Sequence, residues 1–150
     1  MIACAGFAEQ FADAGIDVVA GPTTGGIILA FETARQMGVV AAYAERAMTV
    51  RTGVSFVAAP PSSLSRVLVV DDILTTGGSV RETLAALELV KGRGRCVGVL
   101  VDRSGGKTSF PSVPLYSLVQ LDIETWTADG VARSVLPGEP LVKPETTAVK

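Results

Sequence analysis

The chain contains no histidine. That absence removes Ser-His-Asp triads, histidine-ligated zinc and imidazole acid–base catalysis, so any chemistry falls to carboxylates, arginine, backbone amides or a hard metal ion. Cysteine is nearly as scarce. Cys4 and Cys96 lie far apart and form no Cys-x-x-Cys pair, which fits two small buried side chains in a reducing compartment. Aromatic residues make up only 5% of the chain, too few for the stacking platforms that hold single-stranded bases. There is no excess of positive charge either. Lysine and arginine number 13 against 15 for aspartate and glutamate, a net charge of −2, which argues against general nucleic-acid binding. Long hydrophobic runs are missing as well. Stretches such as 27–31, 67–70 and 97–101 fall short of the ~18–20 residues a membrane span needs. Residues 1–10 lack the basic start and long apolar middle of a signal peptide. The expected setting is the cytosol, away from membranes.

What is present is apolar material for one core: 48% of 150 residues, room for a single domain over 1–150. No internal repeat interrupts it, and after Trp126 periodicity is lost, so an extended tail is expected from about residue 127. Apolar spacing with Gly15 as a stop predicts a short helix over 7–14. β-Branched residues predict a strand over 16–20. A loop over 21–26, a helix over 27–37 ending at Gly38 and a strand over 39–43 follow. The pattern then loosens, with a strand expected over 54–58 and a turn at 60–63. Residues 67–70 form an unbroken apolar run of the kind covered on both faces. Val80, Leu84, Leu87 and Val90 mark one face of a helix, and strands are expected over 96–101 and 115–121. Alternating strands and helices imply right-handed βαβ units and a mostly parallel, Rossmann-like sheet flanked by helices. Ligands of such sheets bind at the carboxyl ends of the strands. Three loops fall there, at 21–26, 71–79 and 102–108.

The informative stretch is 67–79. A buried strand delivers Asp71 and Asp72 to the rim of the sheet. Neighbouring side chains on an extended chain point to opposite sides, so the pair can bracket a ligand. After Ile73 and Leu74, the run Thr75, Thr76, Gly77, Gly78 and Ser79 enters a helix. Glycines allow a tight turn, hydroxyls add donors, and a helix start favours an anion. The combination is a phosphate cradle beside acceptors for a diol, suited to a ribose 5-phosphate. A bland alternative makes the aspartates turn formers before a capped helix, but paired glycines there gain nothing structurally.

This segment resembles the motif for 5-phosphoribosyl 1-diphosphate (PRPP) in type I phosphoribosyltransferases. The resemblance implies that fold and Mg²⁺-dependent transfer of a phosphoribosyl group. It also implies that residues 71–79, Ile73 and Leu74 included, bind PRPP: Asp71 and Asp72 at the ribose hydroxyls, with Asp72 catalytic, and residues 75–79 at the 5′-phosphate. Residues 18–26, which include Thr24, Gly25 and Gly26, are similar to the orotate phosphoribosyltransferase loop that grips pyrophosphate. Ala44, Glu45 and Arg46 are similar to the start of that family's catalytic loop, whose arginine contacts pyrophosphate, which implies a catalytic and PRPP-binding role for Arg46. Val101, Asp102 and Arg103 are similar to the segment whose arginine holds the orotate carboxylate, and Thr75 lies beside the base by the same analogy. Residues 138–144 look like the tail of some bacterial members. A homodimer is implied, with orotate and PRPP as substrates, pyrophosphate as a product, and Mg²⁺ held mainly through PRPP and water rather than by protein ligands.

The departures are also informative. The family's catalytic loop carries lysines and a histidine, whereas residues 47–53 offer only Arg51. Ala132 and Val135 stand where some members have Cys-x-x-Cys. The N-terminal segment that covers the base has no counterpart before Met1, which implies a fragment, a wrongly started reading frame or a reduced member. Alternatives are a phosphoribosyltransferase for another base, or a non-catalytic PRPP-binding regulator. Gly105, Gly106, Lys107 and Thr108 do not make a phosphate-binding P-loop, because Val101 stands where the first glycine is needed and Phe110-Pro111 breaks the helix that must follow.

Overall fold

The computed structural model describes residues 2–46, 53–57 and 61–123. Its central strand is β4, Arg66–Leu74, in which Val67, Leu68, Val69 and Val70 are all buried. Side chains alternate across a strand, and here both faces are covered. Leu68 and Val70 join Phe7, Phe11, Leu29, Ala30 and Ala34 in one core cluster. Val67 and Val69 join Val80, Leu87, Val97 and Val99 in the other. The first cluster lies under helices α1 (Ile2–Gln10) and α2 (Gly25–Met37), the second under α3 (Gly78–Leu89).

The remaining strands are β1 (Val18–Pro22), β2 (Val40–Arg46), β3 (Val54–Val57), β5 (Arg93–Asp102) and β6 (Leu115–Gln120). The sheet order is β3-β2-β1-β4-β5-β6. Every pairing is parallel except β2 with β3, where Arg46 faces Val54. The carboxyl ends of β1, β2, β4 and β5 therefore share one rim. At the opposite end, Arg66 forms a two-pronged ion pair with Asp17, at 2.9 and 3.0 Å. Among the described residues no helix is long and apolar enough to cross a membrane. Both cysteines are unpaired and buried.

Among the described residues the expected helices and strands are all present, with shifted ends. The first helix runs from Ile2 to Gln10 instead of 7–14, and 12–14 form a single 3₁₀ turn before Gly15. Small alanines early in the segment favour helix, and burial of Cys4 and Phe7 anchors that turn to the core. The central strand does not stop at Val70 but runs to Leu74, because β5 pairs with it as far as Leu74 opposite Asp102. Ladder pairing overrides the poor strand preference of two aspartates. Of the 47–53 loop only Gly53 is described, and Arg51 and the tail from 127 lie outside the described residues.

Candidate active site

The alternation of β4 continues into its polar end. Asp71 points to the α3 side and Asp72 to the α2 side, so one strand sends a carboxylate to each of two helix starts. Asp71 is only 5% exposed. Its Oδ2 accepts the Ser79 hydroxyl at 2.9 Å, and its Oδ1 accepts the Asp72 N–H at 3.0 Å. Burial pushes its pKa from 3.8 up to about 6, a rise that those two hydrogen bonds only partly oppose. Asp72 is less buried, and its Oδ1 accepts the Ile73 N–H at 2.7 Å. Its carboxylate lies against Gly25: a Cβ on that residue would collide with Asp72 Oδ2.

Two helices begin beside these carboxylates. Thr24 is the residue before α2, and Gly25 and Gly26 form its first turn. The Thr23–Thr24 peptide is cis, and the Thr23 N–H donates to Ala44 O at 2.9 Å, which ties this loop to the end of β2. Arg46 closes β2; its side chain lies outside the described residues. Gly77 precedes α3 with φ at 76°, in the left-handed region where side chains are strained. A Cβ there would also meet Thr108 and Phe110 at 3.0–3.2 Å. Gly78 and Ser79 open α3, and Thr75 and Thr76 are exposed above it. The first turn of each helix has N–H groups without partners inside the helix, so both starts attract anions. A hollow of about 220 Å³ lies between Pro22 and Thr23 on one side and Gly78, Ser79 and Glu82 of α3 on the other. Ile73 is exposed at the rim. Leu74 turns into the core, and its carbonyl accepts the Arg103 N–H at 2.8 Å.

On the other side of the cradle, Thr75, Thr76 and Arg103 line a cleft of about 550 Å³ together with Ser104, Lys107 and Thr108. Thr108 donates its hydroxyl to Thr75 O at 3.0 Å, joining the 102–108 loop to the cradle. Buried Asp102 shapes that loop by accepting the N–H groups of Ser104 and Gly106 at 2.7 and 3.2 Å. Arg103 Nε is buried, and among the described residues it has no hydrogen-bond acceptor. The Arg103 side chain also lines the cleft, where its positive charge would favour an anionic ligand.

The structure thus gathers the sequence-selected residues into one rim, with Thr24, Gly25 and Gly26 at one helix start, Asp71 and Asp72 between, residues 75–79 at the second start, and Arg103 beyond. Sequence reasoning overlooked Ser104, Lys107, Thr108 and Asp122. The available signal was position: all but Asp122 follow β5 directly, at the same rim.

Paired carboxylates between two helix starts at the carboxyl edge of a parallel sheet define a class, α/β proteins that bind phosphorylated ligands across a strand-end crevice. The phosphoribosyl transferase domain family matches residues 1–126, and the chain belongs to the phosphoribosyltransferases, on their orotate phosphoribosyltransferase branch. The orotate phosphoribosyltransferase of Caldanaerobacter subterraneus is 46% identical over 140 residues, covering 91% of this chain and 70% of the relative. That of Caldicellulosiruptor saccharolyticus is 41% identical over 152 residues, covering 98% of this chain and 75% of the relative. Among solved structures, orotate phosphoribosyltransferase from Aeropyrum pernix superposes with a TM-score of 0.67 at 28% identity, covering 80% of this chain and 70% of that one. Adenine phosphoribosyltransferase from Rhodothermus marinus superposes at 0.70 with 21% identity, covering 80% and 78%, a likeness of fold alone.

Proposed function

We propose that this chain transfers the 5-phosphoribosyl group of PRPP to orotate, giving orotidine 5′-phosphate and pyrophosphate. The observation that carries the choice of base is Arg103, which directly follows β5 and lines the same cleft as Thr75. A guanidinium holds a carboxylate through two parallel hydrogen bonds, and orotate carries one.

In this reading the start of α3, from Thr75 to Ser79, anchors the 5′-phosphate, and Asp71 and Asp72 accept the ribose hydroxyls. The start of α2, with Thr24, Gly25 and Gly26, receives the pyrophosphate, helped by Arg46. Binding at both ends of the substrate orients the reacting carbon between them. As the bond from C1 to pyrophosphate lengthens, negative charge grows on the leaving group, where backbone N–H groups are already aimed. The base nitrogen attacks C1 from the opposite face, so no covalent intermediate with the protein is required.

Mg²⁺ is the expected cofactor, and the donor set fits a hard ion: two adjacent carboxylates and several hydroxyls, with no histidine or thiol among them. Among the described residues no group of three or more acidic or thiol side chains converges on one point, so the ion would be held mainly through substrate oxygens and water, beside the hydroxyls that Asp71 and Asp72 accept. When bound, the ion would offset charge on the diphosphate. The chain works in the cytosol, where two unpaired thiols are at home. We place a homodimer contact on the α2 face, where Ile28 and Phe31 are 66% and 62% exposed beside an apolar hollow that also includes Ile27 and Tyr43. Light scattering on the intact chain tests this, and a monomer that Phe31→Glu leaves unchanged would rule it out.

The catalytic reading is tested by the Asp71→Asn, Asp72→Asn double variant. It should stay folded and lose Mg²⁺-dependent PRPP binding by calorimetry. Unchanged PRPP affinity in the folded double variant would refute the assignment of the carboxylate pair.

A further inference from the structure

We infer that Lys107, paired with Asp122, is a second specificity-determining cation for the base and exchanges Asp122 for the base carboxylate on binding. The inference rests on the proposal of an anionic base and adds a residue to it. Lys107 lines the same cleft as Thr75 and Arg103. Its Nζ lies 3.0 Å from Asp122 Oδ1, with the two side chains 75% and 69% exposed. Such an open ion pair is weak, so Lys107 exchanges it readily for the carboxylate of a base in the same cleft, which Asp122 also lines.

The backbone around Lys107 is built to hold it at this edge. The 102–106 segment is stitched to the end of β6, with Gly105 N–H donating to Leu121 O at 3.2 Å and Leu121 N–H to Asp102 O at 2.7 Å. Gly105 lies so close to Asp122 that a Cβ would meet Oδ1 at 2.8 Å. Lys107 N–H donates to Ser104 O at 3.2 Å, and Thr108 N–H to Ser104 Oγ at 3.0 Å. Lys107 is thus the exposed cation of a tightly bonded loop, and Asp122 is its counter-ion across the seam. One cleft then offers a fixed cation, Arg103, and a movable one, Lys107.

The exchange predicts opposite effects from the two partners. Lys107→Met should weaken orotate binding about 2-fold to 5-fold by calorimetry, the scale of one exposed charge contact. Its PRPP affinity should not change. Lys107→Arg should restore most of the loss. Asp122→Asn, which frees Lys107, should bind orotate equally well or about 2-fold to 5-fold more tightly. If Lys107 and Asp122 only brace the loop, both variants would lose affinity for orotate alike, and that outcome overturns the inference. So does Lys107→Met with wild-type affinity. Retained dependence on Arg103 without dependence on Lys107 sinks this inference alone. A wild-type chain that binds no orotate sinks the base assignment with it.

Discussion

Asp71→Asn separates what the carboxylate does for binding from what it costs the fold. Its pKa stands at about 6 in the folded chain against 3.8 when free, chiefly because burial disfavours the charge. An acid raised in this way binds more protons folded than unfolded between those values. Its relative stabilisation is therefore complete below about pH 4 and is lost as pH rises through about 6. At ~1.4 kcal/mol per decade the displacement bounds the loss at ~3 kcal/mol, and solvent reaching the rim reduces it to about 1–2 kcal/mol. Asparagine removes the charge and keeps the shape, and the Ser79 hydroxyl can turn to accept from its amide. The variant should match the wild type near pH 4 and exceed it by about 1–2 kcal/mol at pH 7.5 in urea unfolding. Its PRPP affinity should fall at least ~10-fold, as expected when a charged acceptor for a ribose hydroxyl becomes neutral. Taking the difference between variant and wild type at each pH cancels other groups, such as Asp17, which Arg66 holds down at about 2. A variant less stable than wild type at pH 7.5, or a difference that does not vary with pH, would refute the reasoning.

Gly25→Ala places a methyl group against the Asp72 carboxylate and should lower PRPP affinity about 10-fold, since overpacking of this kind costs ~1–3 kcal/mol; calorimetry on the folded variant checks it. Gly77→Val forces a β-branched residue to φ 76° beside Phe110, and should weaken binding of ribose 5-phosphate while lowering thermal stability; wild-type affinity would mean the cradle is misplaced. Arg103→Ala should weaken use of orotate by about 10-fold to 100-fold, at ~1.4 kcal/mol per decade and roughly 1.5–3 kcal/mol for each charged hydrogen bond. PRPP affinity should barely change in that variant, and equal losses for orotate and uracil would remove the argument for a carboxylated base.

Much of this site was legible in the chain because its signals are local. The run from Val67 to Ser79 contains strand, carboxylate pair and helix start in order, and strand alternation alone sends Asp71 and Asp72 to opposite sides. Element ends were less legible, because they depend on partners distant in sequence. Nothing near Asp71 reveals that β5 pairs as far as Leu74, or that Arg46 would lie opposite Val54 in an antiparallel pair. The 102–108 loop was only half readable. Arg103 stood out as a cation after a buried strand, whereas Lys107 and Thr108 read as part of a failed P-loop. Their roles follow from contacts with Asp122 and Thr75, at sequence separations of 15 and 33, which no short window displays.

The most direct test of the central claim is formation of orotidine 5′-phosphate from orotate and PRPP by the purified 150-residue chain, with and without Mg²⁺. The account predicts product and stoichiometric pyrophosphate only when both substrates and the ion are present, and loss of both products in the Asp71→Asn, Asp72→Asn double variant. Tight PRPP binding with no nucleotide formed from orotate would contradict it.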